Sequence, residues 1–385
     1  MDMRLIWLAL GAFAGSVESS LIVIVMPDVA KEVGVSLPEA GWLIFVYSIC
    51  YGIGTPILST VLGHVDRRTV VAGGELVFGM MALMFGLLPG YLLLLSARTV
   101  MASGAGLFTS TAQATAVALA APGKRGSAIS TVVMGGSIAI AVGVPLAALA
   151  ANTLGWRVAY VGVGLIGILA AVTMWMRLPG DINGDQRSLK ERLSVLRVPG
   201  IPMTLLTAGL SVMGVFVFFN FLAPVATDLL GIDKSLLPAV MVAFGLGAIF
   251  GNHFAGRMAD AYGGKKTMLV LLGISIVLLA GLPLLTLLPH WLRVAAFFPF
   301  MFVYGSVTWG VMPPQLHRLA ALSAKSVQLS AALNLTAMNI GGAFSAVIGG
   351  LVLQHLGLAW LGPVGALALV GALVVAWIAP SGQEA

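Results

Sequence analysis

Residues 256–266 read Gly-Arg-Met-Ala-Asp-Ala-Tyr-Gly-Gly-Lys-Lys, a short polar segment flanked by the apolar stretches 235–257 and 267–288. Each stretch has about the 20 apolar residues with which a helix crosses the hydrocarbon core of a bilayer. The glycines permit a tight turn, and the lysines favour a cytoplasmic position for it. The segment therefore predicts two membrane-spanning helices joined by a cytoplasmic loop.

The same pattern extends over the whole chain of 385 residues, of which 59% are hydrophobic and 9% are charged. A soluble domain carries about 25% charged residues, so this chain has too little charge to cover a surface in water. Its mean hydropathy of +1.04 agrees. We predict an all-α polytopic membrane protein with twelve transmembrane helices, near 5–27, 39–61, 70–88, 91–117, 127–150, 157–178, 200–224, 235–257, 267–288, 292–314, 328–350 and 358–379.

Several other classes are excluded by the sequence pattern. No stretch alternates in polarity over the ~10 residues of a membrane β-strand. The first apolar stretch is longer than the core of a signal peptide, and no small-residue cleavage site follows it, so we expect a retained helix. The single cysteine, Cys50, lies inside the second span. One cysteine permits neither an internal disulfide nor a cysteine metal cluster.

Lysine and arginine are distributed unevenly between alternate loops, which predicts the orientation of the chain. With both termini in the cytoplasm, fifteen basic residues are internal, four are external, and Arg98 lies within a span. This imbalance accounts for the net charge of +6, so we expect no nucleic-acid partner. The internal set is Arg4, Arg67, Arg68, Lys124, Arg125, Arg177, Arg187, Lys190, Arg192, Arg197, Arg257, Lys265, Lys266, Arg318 and Lys325. The external set is Lys31, Arg157, Lys234 and Arg293.

The chain also divides into two similar halves. The polar segment 179–199 carries seven charges and has six predicted spans on either side. Three glycines recur 193 residues later, about half the chain length, although chance alignment remains open in a chain with 48 glycines. Parallel repeats of this kind are typical of transporters with a binding site between the halves. We predict six-helix bundles at 1–178 and 200–385 and a cytoplasmic linker at 179–199. The recurring pairs are Gly52 and Gly245, Gly54 and Gly247, and Gly63 and Gly256.

The segment 256–266 resembles the Gly-x-x-x-Asp-x-x-Gly-x-Arg/Lys loop of the major facilitator superfamily, which latches the outward-open state in that family. The resemblance implies gating roles for Gly256, Asp260, Gly263 and Lys265. From the residues themselves, we expect Gly256 to let two helices approach closely. We expect Asp260 to cap the next helix or to pair with a cation. A turn that only sets topology is the alternative.

The first half carries a shorter counterpart, Gly63-His64-Val65-Asp66-Arg67-Arg68, which lacks the second glycine. The resemblance implies the same gating role for Gly63, Asp66 and Arg67. The spacing from glycine to aspartate is three residues rather than four, so the pattern of this latch is incomplete.

Further segments resemble the twelve-helix drug:proton antiporter branch of this superfamily, including the sugar, nucleoside and drug efflux permeases. They are Pro27-Asp28-Val29-Ala30, Gly34-Val35-Ser36, Ala40-Gly41-Trp42-Leu43 with Tyr47, Gly155-Trp156-Arg157, Gly251-Asn252, and Asn339-Ile340-Gly341-Gly342 with Gly349-Gly350. The resemblance implies the major facilitator fold, two pseudo-symmetric six-helix bundles, and a monomer. It also implies export of a small solute in exchange for protons across the bacterial inner membrane.

Ionisable residues inside membrane spans cost roughly 2.5–3.5 kcal/mol each on insertion scales, so they are functional candidates. Glu18, near the middle of the first span, is the proposed proton carrier, and a structural carboxyl satisfied by Ser19, Ser20 or a neighbouring helix is the alternative. Arg98 occupies a position that the family links to proton transfer, and a snorkelling arginine is the alternative. Glu75 is expected to pair with Arg67 or Arg68. His253 is expected to be structural.

Gly143-Val144-Pro145 in the fifth span resembles the antiporter motif of the family, although Val144 separates the glycine from the proline. Gly143 and Pro145 can bend the helix and serve as a hinge, or simply kink it. Polar and aromatic residues that can line a substrate cavity are Gln113, Phe216, Asn220, Asn334 and Asn339. For the phenylalanines, packing is the alternative.

The sequence has no Gly-x-x-x-x-Gly-Lys-Ser/Thr, His-Glu-x-x-His or Gly-x-Ser-x-Gly segment, so neither an ATP-driven pump nor a hydrolase is indicated. We expect no cofactor, no metal and no enzymatic activity. The leading hypothesis is a proton-coupled exporter, with a proton-coupled metabolite importer as the alternative and a non-transporting sensor as a third class. The expected partners are a small-molecule substrate, protons and the lipid bilayer.

Overall fold

The computed structural model describes residues 3–120, 125–180, 189–322 and 327–380. Within these ranges, twelve helices are long and apolar enough to cross a membrane, and no strand occurs there. The prediction of twelve transmembrane helices is confirmed. In chain order they are α1 Arg4–Val33, α2 Leu37–Val61, α3 Arg67–Leu87, α4 Tyr91–Leu119, α5 Ser130–Leu154, α6 Trp156–Arg177, α7 Ile201–Phe219, α8 Lys234–Tyr262, α9 Gly264–Leu287, α10 His290–Leu322, α11 Leu329–His355 and α12 Leu358–Ile378.

Glycine and aspartate set several of the helix ends. α1 ends at Gly34, which has a φ of 74°, and the connection from α8 to α9 turns at Gly263, which has a φ of 87°. Both values lie in the left-handed region that glycine adopts without a Cβ penalty. Asp66 begins α3, where its side chain accepts a hydrogen bond from the backbone N–H of Thr69 over 3.3 Å.

Departures from the regular α-helix occur within α5 and α10 and directly after α7. α5 contains a π-helical turn, Ala139–Gly143, and Pro145 occupies the first turn of the α-helix that follows. α10 consists of His290–Gly310 and Met312–Leu322. After α7, a second π-helical turn covers Val225–Leu229. Such turns replace the regular hydrogen-bond ladder locally and are frequent at functional sites.

The described residues divide into two compact units. Leaving aside the residues outside the described ranges, unit 1 comprises Met1–Ser36 and Val46–Leu189, and unit 2 comprises Leu37–Phe45 and Lys190–Ala385. The first residues of α2 thus belong with unit 2. The sequence-based bounds of 1–178, 179–199 and 200–385 stay a prediction, since residues 181–188 of the predicted linker lie outside the described residues.

Each unit has a packed apolar interior. In unit 1, Leu8 of α1, Val71 of α3 and Phe108 of α4 belong to one buried cluster that also reaches α5 and α6. In unit 2, aromatic rings on α7, α8 and α10 pack against one another, and Tyr304 donates a hydrogen bond to the carbonyl of Val215 over 2.7 Å. These interiors fix the helices that carry the polar groups described next.

Candidate proton-coupling site

Two of the charges predicted to lie inside the membrane form one buried ion pair. Arg98 on α4 donates from Nη1 to Oε1 of Glu18 on α1 over 2.5 Å. The two side chains are 1% and 0% exposed. The sequence analysis identified the two residues as separate candidates, and the structure brings them together within unit 1. Ser19 is not its partner, because the Ser19 hydroxyl donates to the carbonyl of Ser16. Of the alternatives for Glu18, the structure has a carboxyl bonded to neighbouring helices.

Tyr160 on α6 completes this cluster. Its hydroxyl accepts a hydrogen bond from Arg98 Nη2 over 3.1 Å and donates one to Glu18 Oε1 over 3.2 Å. The sequence analysis missed Tyr160, because a lone tyrosine in an apolar helix gives no signal beyond its proximity to Gly155-Trp156-Arg157. We call Glu18, Arg98 and Tyr160 the polar triad.

Aromatic rings surround the guanidinium of Arg98. Its Cζ lies 5.1 Å from the ring centroid of Tyr47, 5.1 Å from that of Phe85 and 5.9 Å from that of Tyr160. A cation within about 6 Å of an aromatic face is attracted by the ring quadrupole. The rings therefore provide Arg98 with a second favourable contact besides the carboxylate.

The polar triad is not fully satisfied. Glu18 Oε2 and Arg98 Nε are buried without a hydrogen-bond partner among the described residues. A carboxylate oxygen without a donor can still accept a hydrogen bond. When it is buried without one, it destabilises the folded protein. Oε2 is accordingly the atom of the triad at which a proton or a donor group of a bound molecule can be received.

The predicted hinge in α5 lies against the helix that carries Glu18. A Cβ added to Gly143 would lie 2.5 Å from Cγ2 of Val17 and 2.6 Å from Cζ of Phe13, both on α1. Gly143 also ends the π-helical turn, and Pro145 follows it. The helix is thus irregular where the sequence predicts a hinge, and its irregular turn contacts the residue that precedes Glu18.

Glu75 does not behave as the sequence predicted. It is 1% exposed, and its Oε1 has no hydrogen-bond partner among the described residues. The expected ion pair with Arg67 or Arg68 is wrong. Arg67 instead donates to the carbonyl of Ala114 over 3.1 Å, and the Arg68 guanidinium lies 4.5 Å from the centroid of the Trp175 ring.

The residues predicted to line a substrate cavity have different environments. Gln113 is exposed on α4, and Phe216 and Asn339 are half-buried in unit 2. Asn339 donates to the Leu335 carbonyl of its own helix over 2.8 Å. Phe216 packs edge-on against Phe219, with ring centroids 5.4 Å apart.

Asn220 and Asn334 are buried and already hydrogen-bonded inside unit 2. Asn220 donates to the hydroxyl of Ser345 over 2.9 Å, and its Oδ1 has no partner in the described part of the chain. Asn334 accepts a hydrogen bond from Gln315 over 3.0 Å, and Gln315 also donates to the Thr204 carbonyl over 2.7 Å. The sequence analysis missed Gln315, which joins α7, α10 and α11. A cavity-lining role for these residues stays a prediction.

The two loops predicted to act as gates differ in structure. In the first, Asp66 caps α3 and Arg67 reaches α4, while Gly63 is buried. In the second, α8 continues to Tyr262, so Asp260 lies in its last turn and is exposed. The expected helix cap by Asp260 is wrong, because the N-cap of α9 is Gly263, which has no side chain.

Two further contacts describe the second loop. Lys265 donates to the carbonyl of Ala379, at the end of α12, over 2.7 Å. A Cβ on Gly256 would lie 3.8 Å from Cβ of Pro313, which is an ordinary contact. The expectation that Gly256 mediates a close helix approach is therefore wrong.

Twelve apolar helices define a polytopic membrane protein, and a buried carboxylate–guanidinium pair lies within its first unit. The chain belongs to the Major Facilitator Superfamily, whose family model matches residues 8–336. The members of this family are transporters rather than enzymes.

Several relatives are similar over nearly their full length. The chain is 30% identical to the MFS-type transporter YbcL of Bacillus subtilis, over 95% of this chain and 93% of YbcL. It is 28% identical to the inner membrane transport protein YdhP of Escherichia coli, over 98% and 96%. It is 26% identical to a chloramphenicol resistance protein of Streptomyces lividans, over 92% and 90%.

A solved structure supports the same fold. The bacterial homologue of the human lysosomal transporter Spinster, in an inward-facing and unoccupied conformation, superposes with a TM-score of 0.71. The match covers 98% of this chain and 95% of that chain at 16% identity. At that identity the likeness shows the fold alone.

Proposed function

We propose that the protein is a proton-coupled exporter of a small organic solute, with Glu18 as its proton carrier. The observation that carries this proposal is the buried polar triad, in which a carboxylate, a guanidinium and a phenol share two hydrogen bonds to Glu18 Oε1. A bare charge in lipid is costly, so a proton that arrives at Glu18 changes the electrostatic balance of the whole cluster.

The coupling follows from that balance. With Glu18 ionised, the pair with Arg98 carries no net charge. A proton on Oε2 neutralises the carboxyl and leaves Arg98 with an uncompensated charge, held by the rings of Tyr47, Phe85 and Tyr160. Proton binding therefore favours a different arrangement of α1 and α4, and alternating exposure of the site exchanges protons for solute.

The fifth helix supplies a route for the movement. The π-helical turn and Pro145 weaken the backbone ladder of α5, and Gly143 touches Val17 beside Glu18. We assign Gly143 and Pro145 as the hinge. We assign the loops at Gly63, Asp66 and Arg67 and at Gly256, Asp260, Gly263 and Lys265 as the gates, and Gln113, Phe216, Asn220, Asn334 and Asn339 to the substrate path.

The proposal includes a location and an orientation. The excess of lysine and arginine on one set of loops supports cytoplasmic termini, and the similarity to YdhP supports the bacterial inner membrane. The protein is proposed to act as a monomer. The similarity to a chloramphenicol resistance protein makes chloramphenicol the first solute to test.

Everted membrane vesicles that contain the protein test both coupling and direction. We expect chloramphenicol to accumulate when the lumen is acidified, and we expect the accumulation to be lost in Glu18→Gln. Accumulation that persists after a protonophore collapses the gradient would remove proton coupling. Uptake only into right-side-out vesicles with an inward proton gradient would make the protein an importer instead.

A control variant separates the loss of the carrier from the loss of the fold. Glu191 is exposed in the short helix Leu189–Leu193, outside the spans, and Glu191→Gln makes the same chemical change there. It should transport as the wild type does. Unchanged proton-driven transport in Glu18→Gln would remove Glu18 from the mechanism.

A further inference from the structure

Glu75 is a buried carboxyl that the polar triad does not include. It lies on α3. Arg67 and Arg68 do not neutralise it, because both side chains contact other groups. No ion pair to it exists in the parts of the chain that the structure describes. An ionisable group at such a place in a membrane-spanning helix is a functional candidate by default.

Glycines form the walls around this carboxyl. A Cβ on Gly11 of α1 would lie 3.1 Å from Cδ of Glu75, and a Cβ on Gly167 of α6 would lie 3.4 Å from its Oε1. On α3 itself, two glycines allow neighbouring backbones to approach closely. A Cβ on Gly74 would lie 3.0 Å from the backbone of α4, and a Cβ on Gly79 would lie 2.6 Å from the backbone of α6. The carboxyl is thus enclosed by helix backbones and apolar surface, and no side-chain donor reaches Oε1.

The charged groups on the packed helices do not neutralise Glu75. Glu18 and Arg98 pair with each other, and Arg67 and Arg68 have the contacts described above. Among the described residues, no titratable group on these helices forms an ion pair with Glu75. The groups concerned are Arg4, Glu18, Asp28, Lys31 and Glu32 on α1, Arg67 and Arg68 on α3, Tyr91 and Arg98 on α4, and Arg157, Tyr160 and Arg177 on α6.

A carboxylate that has neither water nor a counter-charge neutralises by taking up a proton. We infer that Glu75 is a second proton-binding site of this protein, loaded in the conformation described and able to exchange its proton when the walls formed by α1, α4 and α6 separate. The use of that proton in transport rests on the proposed function, whereas its binding does not.

Glu75 and the polar triad are linked through α1. Gly11, which contacts Glu75, lies seven residues before Glu18, or about 10 Å of helix rise. A movement of α1 that opens the triad therefore also moves one wall of the Glu75 site. Glu18 on α1 and Glu75 on α3, both in contact with movable parts of α1, give a transport cycle that carries two protons rather than one.

Infrared spectroscopy of the purified full-length protein tests proton binding directly, because a protonated carboxyl has a carbonyl band that a carboxylate lacks. At neutral pH we expect this band in the wild type and in the exposed control Glu191→Gln, and we expect its loss in Glu75→Gln. Equal bands in the wild type and Glu75→Gln would overturn the inference. Glu75→Asp keeps a carboxyl and should retain a displaced band, which separates loss of the acid from misfolding.

Exchange is tested by raising the pH. The Glu75 band should disappear reversibly while the protein stays folded, and it should persist at neutral pH in Glu18→Gln. A band that survives up to the pH of unfolding would make Glu75 a permanently neutral structural group and would overturn the inference.

The two proposals fail in different ways. If chloramphenicol flux does not depend on the proton gradient while the Glu75 band titrates, the proposed function is wrong and the proton-binding site is supported. If transport is proton-driven but the number of protons exchanged per chloramphenicol is the same in Glu75→Gln, the second site takes no part in the cycle. We expect that number to be halved.

Discussion

Gly143 lies so close to Val17 that a Cβ on the glycine would be 2.5 Å from Val17 Cγ2. Val17 precedes Glu18 on α1, and Gly143 ends the π-helical turn of α5. The irregular part of one helix therefore contacts the residue next to the proposed proton carrier. This contact offers a physical route from proton binding to helix movement.

The variant Gly143→Ala tests that route. The added methyl has to displace Val17 and Phe13, and overpacking of this kind costs about 1–3 kcal/mol. We expect a lower melting temperature and slower transport. Gly162 on α6 has no atom near a Cβ, so Gly162→Ala is the matched control, expected to be neutral or slightly stabilising. If Val17→Ala and Phe13→Ala together do not restore transport in the Gly143→Ala background, the contact is not the route.

Removal of one partner from the buried pair should be more harmful than removal of both. Arg98→Met leaves the Glu18 carboxylate without its counter-charge, which costs about 3–5 kcal/mol in a buried site. The double variant Glu18→Gln/Arg98→Met has no buried charge, and we expect it to recover most of the lost thermal stability. It should still not couple transport to protons.

A double-mutant cycle on melting temperatures measures this effect. If the decreases in melting temperature of the two single variants simply add in the double variant, the two side chains do not interact in the protein. Recovery of proton-driven transport in the double variant would separate the pair from coupling altogether.

Tyr160→Phe removes one hydroxyl and retains the aromatic ring. The hydroxyl stabilises the ionised form of Glu18 by donating to Oε1, and a hydrogen bond to a charged group contributes about 1.5–3 kcal/mol. Without it, Glu18 is protonated more readily. The pH profile of transport should move in the alkaline direction, as measured by initial rates in proteoliposomes over a series of pH values. An unchanged profile with lower stability would limit Tyr160 to a structural role.

The sequence predicted the membrane fold because the requirement is local. A helix that crosses a bilayer needs ~20 apolar residues in succession, and each of the twelve stretches can be recognised by itself. Glu18 and Arg98 were also recognisable one at a time, because charges are rare in such stretches.

The contacts between helices were not predictable in the same way. Glu18, Arg98 and Tyr160 lie on three helices, and their meeting depends on which helix faces pack together. Glu75 illustrates the same limit: Arg67 and Arg68 are near it in sequence, yet both side chains point to other partners. Periodicity along one chain contains no information on those faces.

The glycine repeat shows the limit most clearly. Gly54 and Gly247 correspond at an offset of 193 residues, but a Cβ on Gly54 would touch nothing, whereas one on Gly247 would overlap the backbone of Phe302. Equal positions in the two halves therefore have unequal packing. A sequence repeat predicts the topology of the halves and not the contacts of each glycine.

A last prediction follows from the close approach of α8 and α10. A Cβ on Gly251 would overlap the backbone of Ser306, while one on Gly256, five residues later on α8, would make an ordinary contact with Pro313. Because backbone atoms cannot move aside as side chains do, Gly251→Ala should force the helices apart and cost at least the ~1–3 kcal/mol of core overpacking. Gly256→Ala is the matched control and should melt at or slightly above the wild-type temperature, since alanine favours the helix by about 0.5–1 kcal/mol. Thermal unfolding of the purified proteins in one detergent measures both, and a Gly256→Ala variant that is less stable than Gly251→Ala would mean that the helix contact lies at the loop, as the sequence alone suggested.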